Sequence, residues 1–258
     1  MRPMAARDLF CSPPVTHDAD LAARLADVRQ RMARAARRAG RQPDDIRLVA
    51  VSKTYAIDRV RAAAEAGQCD FGENRVQEAL LKIGAAPDLP VRWHLIGHLQ
   101  SNKARKAAVS FAWIHSIDRV DLLDAVERGA ADAGTAPDVL VQVDLAGDPT
   151  KHGAAVDLVR TLVDRAVQCR AARLAGLMLV PPFLEDPEAV RPYFRQLRDL
   201  RDRLTADGVP AAMLRELSMG MSHDFEVAIE EGATLVRVGT AIFGARPALE
   251  SRHPSAET

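Results

Sequence analysis

The sequence predicts one α/β domain closed as a (β/α)8 TIM barrel, with an extra helix in front of it. Three observations carry this expectation. Short β-type apolar runs alternate with Ala/Leu/Arg/Glu-rich helical stretches, and they do so eight times. The runs are almost continuously apolar, as strands are when helices cover one side and a packed barrel interior the other. The length of 258 residues suits one such barrel, and no linker or internal repeat divides it.

The first element is a helix capped by Asp18 or Asp20 and stopped near Gly40, a residue suited to the position just past a helix end. Eight candidate strands follow at 47–53, 69–74, 92–98, 112–118, 139–145, 174–181, 216–221 and 235–243. Between them lie helical patterns such as IDRVRAAAEAG, VQEALLKIG, VDLLDAVERGAADAG and AVDLVRTLVDRAVQ, several of them ending in Gly. Residues 1–16 are expected to be a disordered extension, 17–246 the barrel and 247–258 a flexible tail.

Composition narrows the setting. Lys plus Arg and Asp plus Glu each number 35, so the formal charge is zero and no global field gathers phosphate backbones. The densest basic stretch, residues 31–41, reads as the solvated face of a helix, and nucleic acid is not expected as a partner. Cys11, Cys69 and Cys169 are odd in number and widely spaced, which suits a reducing compartment. No apolar run reaches the length of a membrane span, and the start MRPMAARDLFCSPPV lacks the apolar core of a signal peptide. A cytoplasmic monomer with no membrane partner is the expectation.

In a barrel of this kind the site lies at the C-terminal ends of the strands. Lys53 closes the first apolar run, where burial would lower an amine pKa of about 10.4 toward about 7–8 and make it nucleophilic; a lysine reaching solvent is the plain alternative. Gly72 and Asn74 end the second run. His94 and His98 fall on one face if the third strand runs through both, and His115 on the fourth could join them as a zinc candidate. No carboxylate stands at a matching offset, so His94 reads better as a polar barrel residue, and no metal is expected. The seventh run, SMGMS (Ser218 to Ser222), precedes a helix starting near Asp224. The eighth places Gly239 and Thr240 at its end, with Arg237 two residues earlier on the same side. Barrels often bind phosphate between these two loops, because glycines admit backbone N–H groups and hydroxyls add donors. An internal salt bridge is the alternative for Arg237.

Taken together, AVSKT at 50–54, FGENRVQE at 71–78, WHLIGHLQSNK at 93–103, GLM at 176–178, LSMGMS at 217–222 and VRVGTAIFGAR at 236–246 resemble the YggS/PROSC family of pyridoxal phosphate (PLP) homeostasis proteins. That family is similar to the barrel half of alanine racemase. The resemblance implies that PLP is the cofactor and that Lys53 is its Schiff-base lysine. It implies that Ser222, Gly239 and Thr240, helped by Ser218, hold the phosphate, that Arg237 faces the pyridine nitrogen, and that Asn74, His94 and Met178 line the ring. Lys151, in TKHG, matches the lysine of the family's SKSG-like segment and is implicated in loading or release. The chain departs from the pattern at His223, where relatives usually carry an acid, and at AGDP (146–149).

A guanidinium holds its proton and makes a pyridine ring a weak electron sink. Racemisation also needs an acid/base on each face of Cα. The racemase's second group is a tyrosine placed with help from its other domain, which is not expected here. The two tyrosines are Tyr55, close to Lys53, and Tyr193, in a helix. The resemblance therefore implies a carrier that buffers PLP and hands it to PLP-dependent apoenzymes, without turnover. A low-activity amino-acid racemase is the alternative.

Overall fold

The computed structural model describes residues 17–147 and 152–245. The terminal segments 1–16 and 246–258, with Cys11, and the loop that contains Lys151 lie outside the described residues. The chain opens with α1 (His17–Arg38), whose apolar stripe Leu21, Leu25, Val28, Met32 and Ala35 is buried at helical spacing. Gly40 ends it in the left-handed region (φ 68°), and Arg41 N–H returns to Ala36 O at 2.9 Å. Of the basic stretch 31–41, Arg34, Arg37 and Arg38 are exposed, and several members pair within the chain. Arg31 pairs with Glu226, Arg38 with Glu230, and Arg41 donates to Ile229 O and Ala233 O.

The barrel strands are β1 (Arg47–Val51), β2 (Asp70–Glu73), β3 (Arg92–Leu95), β4 (Trp113–Ile117), β5 (Asp138–Asp144), β7 (Arg173–Leu179), β8 (Glu216–Met221) and β9 (Leu235–Val238). All pair in parallel, and β1–β9 and β4–β5 contacts close the ring. Between them run α2 (Ile57–Glu65), α3 (Val76–Ala85), α4 (Ala104–Ser110), α5 (Val120–Ala133), α6 (Val156–Val167), α7 (Arg191–Ala206) and α8 (Phe225–Glu230). A two-residue strand that the sequence pattern does not announce, β6 (Ala154–Ala155), pairs with the end of β5.

Two strands end three or more residues before the sequence expectation. The third strand stops at Leu95 rather than 98, because the chain turns at Gly97, where a Cβ would collide with the Asn74 carbonyl. The last run stops at Val238, and Thr240–Phe243 forms a helical turn, α9, closed by Ile242 N–H to Gly239 O. An apolar run of this length fits strand or buried helix equally well. Here Phe243 stacks on Tyr55, and Tyr55 OH donates to Gly244 O at 2.6 Å, which decides for the turn.

The hydrophobic core has two parts. The larger lies between the strands and the helices; the smaller fills the barrel with Val49, Trp113, Leu140, Ala175, Met178 and Leu235. Such an interior is packed, so a ligand must sit at its mouth.

Candidate functional site

The mouth holds a cavity of about 430 Å³, within the usual range for small-molecule sites. Lys53, Asn74, Ser222, Arg237, Gly239 and Thr240 line it. Tyr55 and His223 also line it, and Val51, Ile96, Val180, Phe183 and Met221, which the sequence did not single out, complete its walls. His94, Met178 and Ser218 lie deeper, fully buried in the barrel layer beneath.

Lys53 sits in a turn held from behind. Thr54, a β-branched residue, is at φ 69°, a conformation that costs on the order of 1–3 kcal/mol. Its N–H donates to Glu78 Oε1 at 2.5 Å. Lys82 Nζ donates to Ser52 O at 2.8 Å and to Glu73 Oε1 at 2.7 Å, and Ser52 Oγ donates to the same carboxylate oxygen at 2.7 Å. Burial raises the Glu73 pKa against the pull of Lys82 and Ser52, and its second oxygen has no partner among the described residues. Glu73, Glu78 and Lys82 escaped the sequence reading. The i, i+4 spacing of Glu78 and Lys82 is common on solvated helices, and nothing local says that Lys82 turns inward.

The opposite wall is β8 and β9. Gly220, at φ 91°, turns the chain where a Cβ would come within 2.6 Å of Ala228 Cβ. Asp224 Oδ1 accepts from Met221 N–H at 2.6 Å, and burial raises its pKa. Ser222 Oγ accepts from Gly239 N–H at 3.1 Å, which ties the two loops together. Gly239 passes so close to β1 that a Cβ would lie 3.3 Å from Val51. The first-turn N–H groups of α9 have no acceptor within the helix, as at any helix start. His223 is exposed at the rim, against Phe183, and donates from Nε2 to Glu185 O at 2.9 Å.

Arg237 stands where the cavity meets the barrel interior. Its Nη1 donates to Ser218 Oγ at 2.6 Å and its Nη2 to Leu179 O at 2.8 Å. Burial lowers its pKa to about 10, which leaves it charged at neutral pH. Behind it runs a buried chain: Ser218 Oγ to His115 Nδ1, His115 Nε2 to His94 Nδ1, and His94 Nε2 to Asp70 Oδ1, each at 2.9 Å. Burial lowers both histidine pKa values, that of His115 well below its ordinary position. Burial would raise the pKa of Asp70, but hydrogen bonds from His94 and Arg92 hold it at about 2. The zinc trio considered from the sequence does not assemble. His94 and His115 are spent on this chain, and His98, past the end of β3, faces Asp118 and His152 instead.

The chain's relatives can now be set beside this geometry. The profile of the family described as "Alanine racemase, N-terminal domain" matches residues 23–247. The Aquifex aeolicus protein named pyridoxal phosphate homeostasis protein is 45% identical over 223 residues, covering 86% of this chain and 97% of its own. The Escherichia coli K12 protein of the same name is 40% identical over 233 residues, 88% and 97% of the two chains. Among solved structures, PipY of Synechococcus elongatus PCC7942 with PLP bound superposes with a TM-score of 0.78 at 40% identity, covering 87% of this chain and all of that one. Alanine racemase of Streptomyces coelicolor, 23% identical with a TM-score of 0.66, covers 89% of this chain and 59% of its own, and shares the fold. The chain therefore belongs to the pyridoxal phosphate homeostasis family, built on the barrel of the alanine racemase N-terminal domain.

Proposed function

We propose that this chain binds PLP at the barrel mouth through Lys53 and serves PLP homeostasis as a carrier, without turning over amino acids. One observation carries the reading: a lysine amine, a buried guanidinium and a cluster of hydroxyl and glycine positions from two adjacent loops share one cavity. The donor set fits the group. PLP supplies an aldehyde that condenses with amines, a phosphate dianion and a ring nitrogen. Lys53 presents the amine. Ser222 and Thr240 present hydroxyls, and Gly239 keeps the space beside them free of a side chain. Arg237 keeps a proton on every nitrogen, so it donates to a ring nitrogen and never protonates it. Asn74 adds a neutral donor and acceptor at the wall. His94, Ser218 and Met178 support this site from below, Ser218 through its bond to Arg237.

The same residues argue against racemisation. A second acid/base is needed opposite Lys53. Tyr55 spends its hydroxyl on Gly244 O, and Tyr193 packs among the helices outside the barrel. The Arg237 partner also makes a weak electron sink. Delivery to apoenzymes and life as a cytoplasmic monomer complete the proposal, and the free thiols Cys69 and Cys169 suit such a compartment.

The test is spectroscopic and kinetic. Protein loaded with PLP is expected to show a visible absorption band that borohydride bleaches, with the label mapped to Lys53. Lys53→Ala is expected to lose the band and keep its circular dichroism. Alanine and serine are expected to keep their chirality on prolonged incubation. A label on another lysine refutes the site; racemisation that disappears in Lys53→Ala refutes the carrier reading.

A further inference from the structure

We propose that His98, Asp118 and His152 form a binding site for a borderline divalent transition-metal ion such as Zn2+, separate from the PLP cavity. The three come from neighbouring βα connections at the barrel mouth. His98 follows β3, Asp118 follows β4, and His152 precedes β6 in the connection after β5. One ligand atom from each lies within 4.8 Å of the other two. The imidazoles of His98 and His152 stack with centroids 3.6 Å apart, and His98 Nδ1 is 3.7 Å from Asp118 Oδ2.

Tetrahedral zinc with bonds of about 2.0–2.1 Å sets its ligand atoms about 3.3 Å apart. The ligand atoms, within 4.8 Å of one another, must therefore draw together by up to about 1.5 Å, and the stacked rings must tilt apart so that a nitrogen of each faces one ion. The backbone beside His152 is held on β5. Gln142 Nε2 on β5 donates to His152 O at 2.6 Å. Gly153 at φ 145° lies so close to β5 that a Cβ would come within 2.8 Å of Asp144 N. Asp118 is oriented by Arg119, which donates to its other oxygen at 2.9 Å, a partner that orients the ligand without occupying Oδ2.

A second observation points to a ligand. His98 Nδ1 is shielded from solvent and has no hydrogen-bond partner among the described residues. A shielded ring nitrogen left unpaired is unfavourable. A metal bond would satisfy it. Two imidazoles and one carboxylate select zinc, cobalt or nickel over magnesium and calcium, which prefer all-oxygen sets. Three protein donors leave a coordination position open, for water or a small anion. None of the three residues lines the PLP cavity, so metal binding and PLP binding are separable.

The experiment uses the full chain loaded with PLP. Zn2+ alone is titrated by calorimetry, and Co2+ alone serves as an optical probe of tetrahedral coordination. One equivalent of Zn2+ is expected per chain, undisturbed by millimolar Mg2+. His98→Ala and His152→Ala are each expected to weaken it by about tenfold or more, and Asp118→Asn by a comparable factor, with the PLP spectrum unchanged in all three. The retained PLP spectrum reports that each variant folds. No uptake by the wild type, or equal uptake by the His98→Ala/His152→Ala double variant, overturns the site; the latter outcome places the metal elsewhere, on the cysteines for instance.

Discussion

The barrel mouth divides its work among single side chains whose removal has distinguishable effects. In the proposed site Ser222 would give one hydrogen bond to a charged group, so Ser222→Ala is expected to weaken PLP binding by about 1.5–3 kcal/mol. Ser222 also accepts from Gly239 N–H, so part of that loss reflects a loosened loop, which Ser222→Thr should restore. Gly239→Val is expected to bind PLP more weakly than either, since even a Cβ there would press on Val51 at 3.3 Å. Equilibrium titration of the absorption band measures all three, and wild-type affinity in both Ser222→Ala and Gly239→Val would refute this phosphate site. These positions were legible in the sequence because each stands at a strand end, where glycine or a hydroxyl has no packing reason to be. The depth of His94, Ser218 and Met178 below the mouth was not legible. Whether a residue touches a ligand or supports the one that does depends on its depth in the barrel layer.

Whole elements hold the lysine turn. Helix α3 brings Glu78 and Lys82 under the loop between β1 and α2, where they secure Thr54 N–H and Ser52 O. Lys82→Met leaves Glu73 as a buried carboxylate without its cation, an arrangement that typically costs about 3–5 kcal/mol. Burial already raises the Glu73 pKa, so in the variant the acid gains a proton more readily in the folded state than in the unfolded one. Stability then falls as pH rises from the unfolded carboxylate range through the folded pKa. Denaturant midpoints are expected to separate variant from wild type more at pH 8 than at pH 5, and the double variant Glu73→Gln/Lys82→Met should recover most of the difference. A gap independent of pH would mean that Lys82 acts by packing alone. The alternation of strands and helices was plain in the sequence, as was the Gly40 stop. Strand ends were not. Period-2 alternation put His94 and His98 on one face, but it holds only while the strand lasts, and the turn at Gly97 ends it. Registers between strands, such as His94 opposite Trp113, depend on closure of the whole ring.

At the scale of the molecule, acid is expected to act from the floor of the barrel. Asp70, at the start of β2, has a pKa of about 2 in the fold. Its unfolded value is about 3.9, so it contributes roughly 2–3 kcal/mol above that range, lost as pH falls through about 2. Urea denaturation of Asp70→Asn is expected to show lower stability at pH 7 and a shallower decline between pH 4 and pH 2. An unchanged decline would assign acid unfolding to other carboxylates, such as Glu231 among Arg191, Arg195 and Arg198.

The buried row from Arg237 to Asp70 has a further consequence. With Asp70 ionised and both imidazoles neutral, only one arrangement of hydrogens satisfies every link: Arg237 donates to Ser218, Ser218 to His115, His115 to His94, and His94 to Asp70. Every dipole in the row then turns its negative end toward the guanidinium. Among the described residues no carboxylate is bonded to the cation at the mouth; Asp224 is the acid whose charge favours it, and Asp70, paired with Arg92 at the far end, is joined to it only through the oriented bonds of the row. One continuous row of oriented bonds thus joins the mouth to the floor. A substitution at the floor, where changes ordinarily touch stability alone, becomes a means of tuning the mouth.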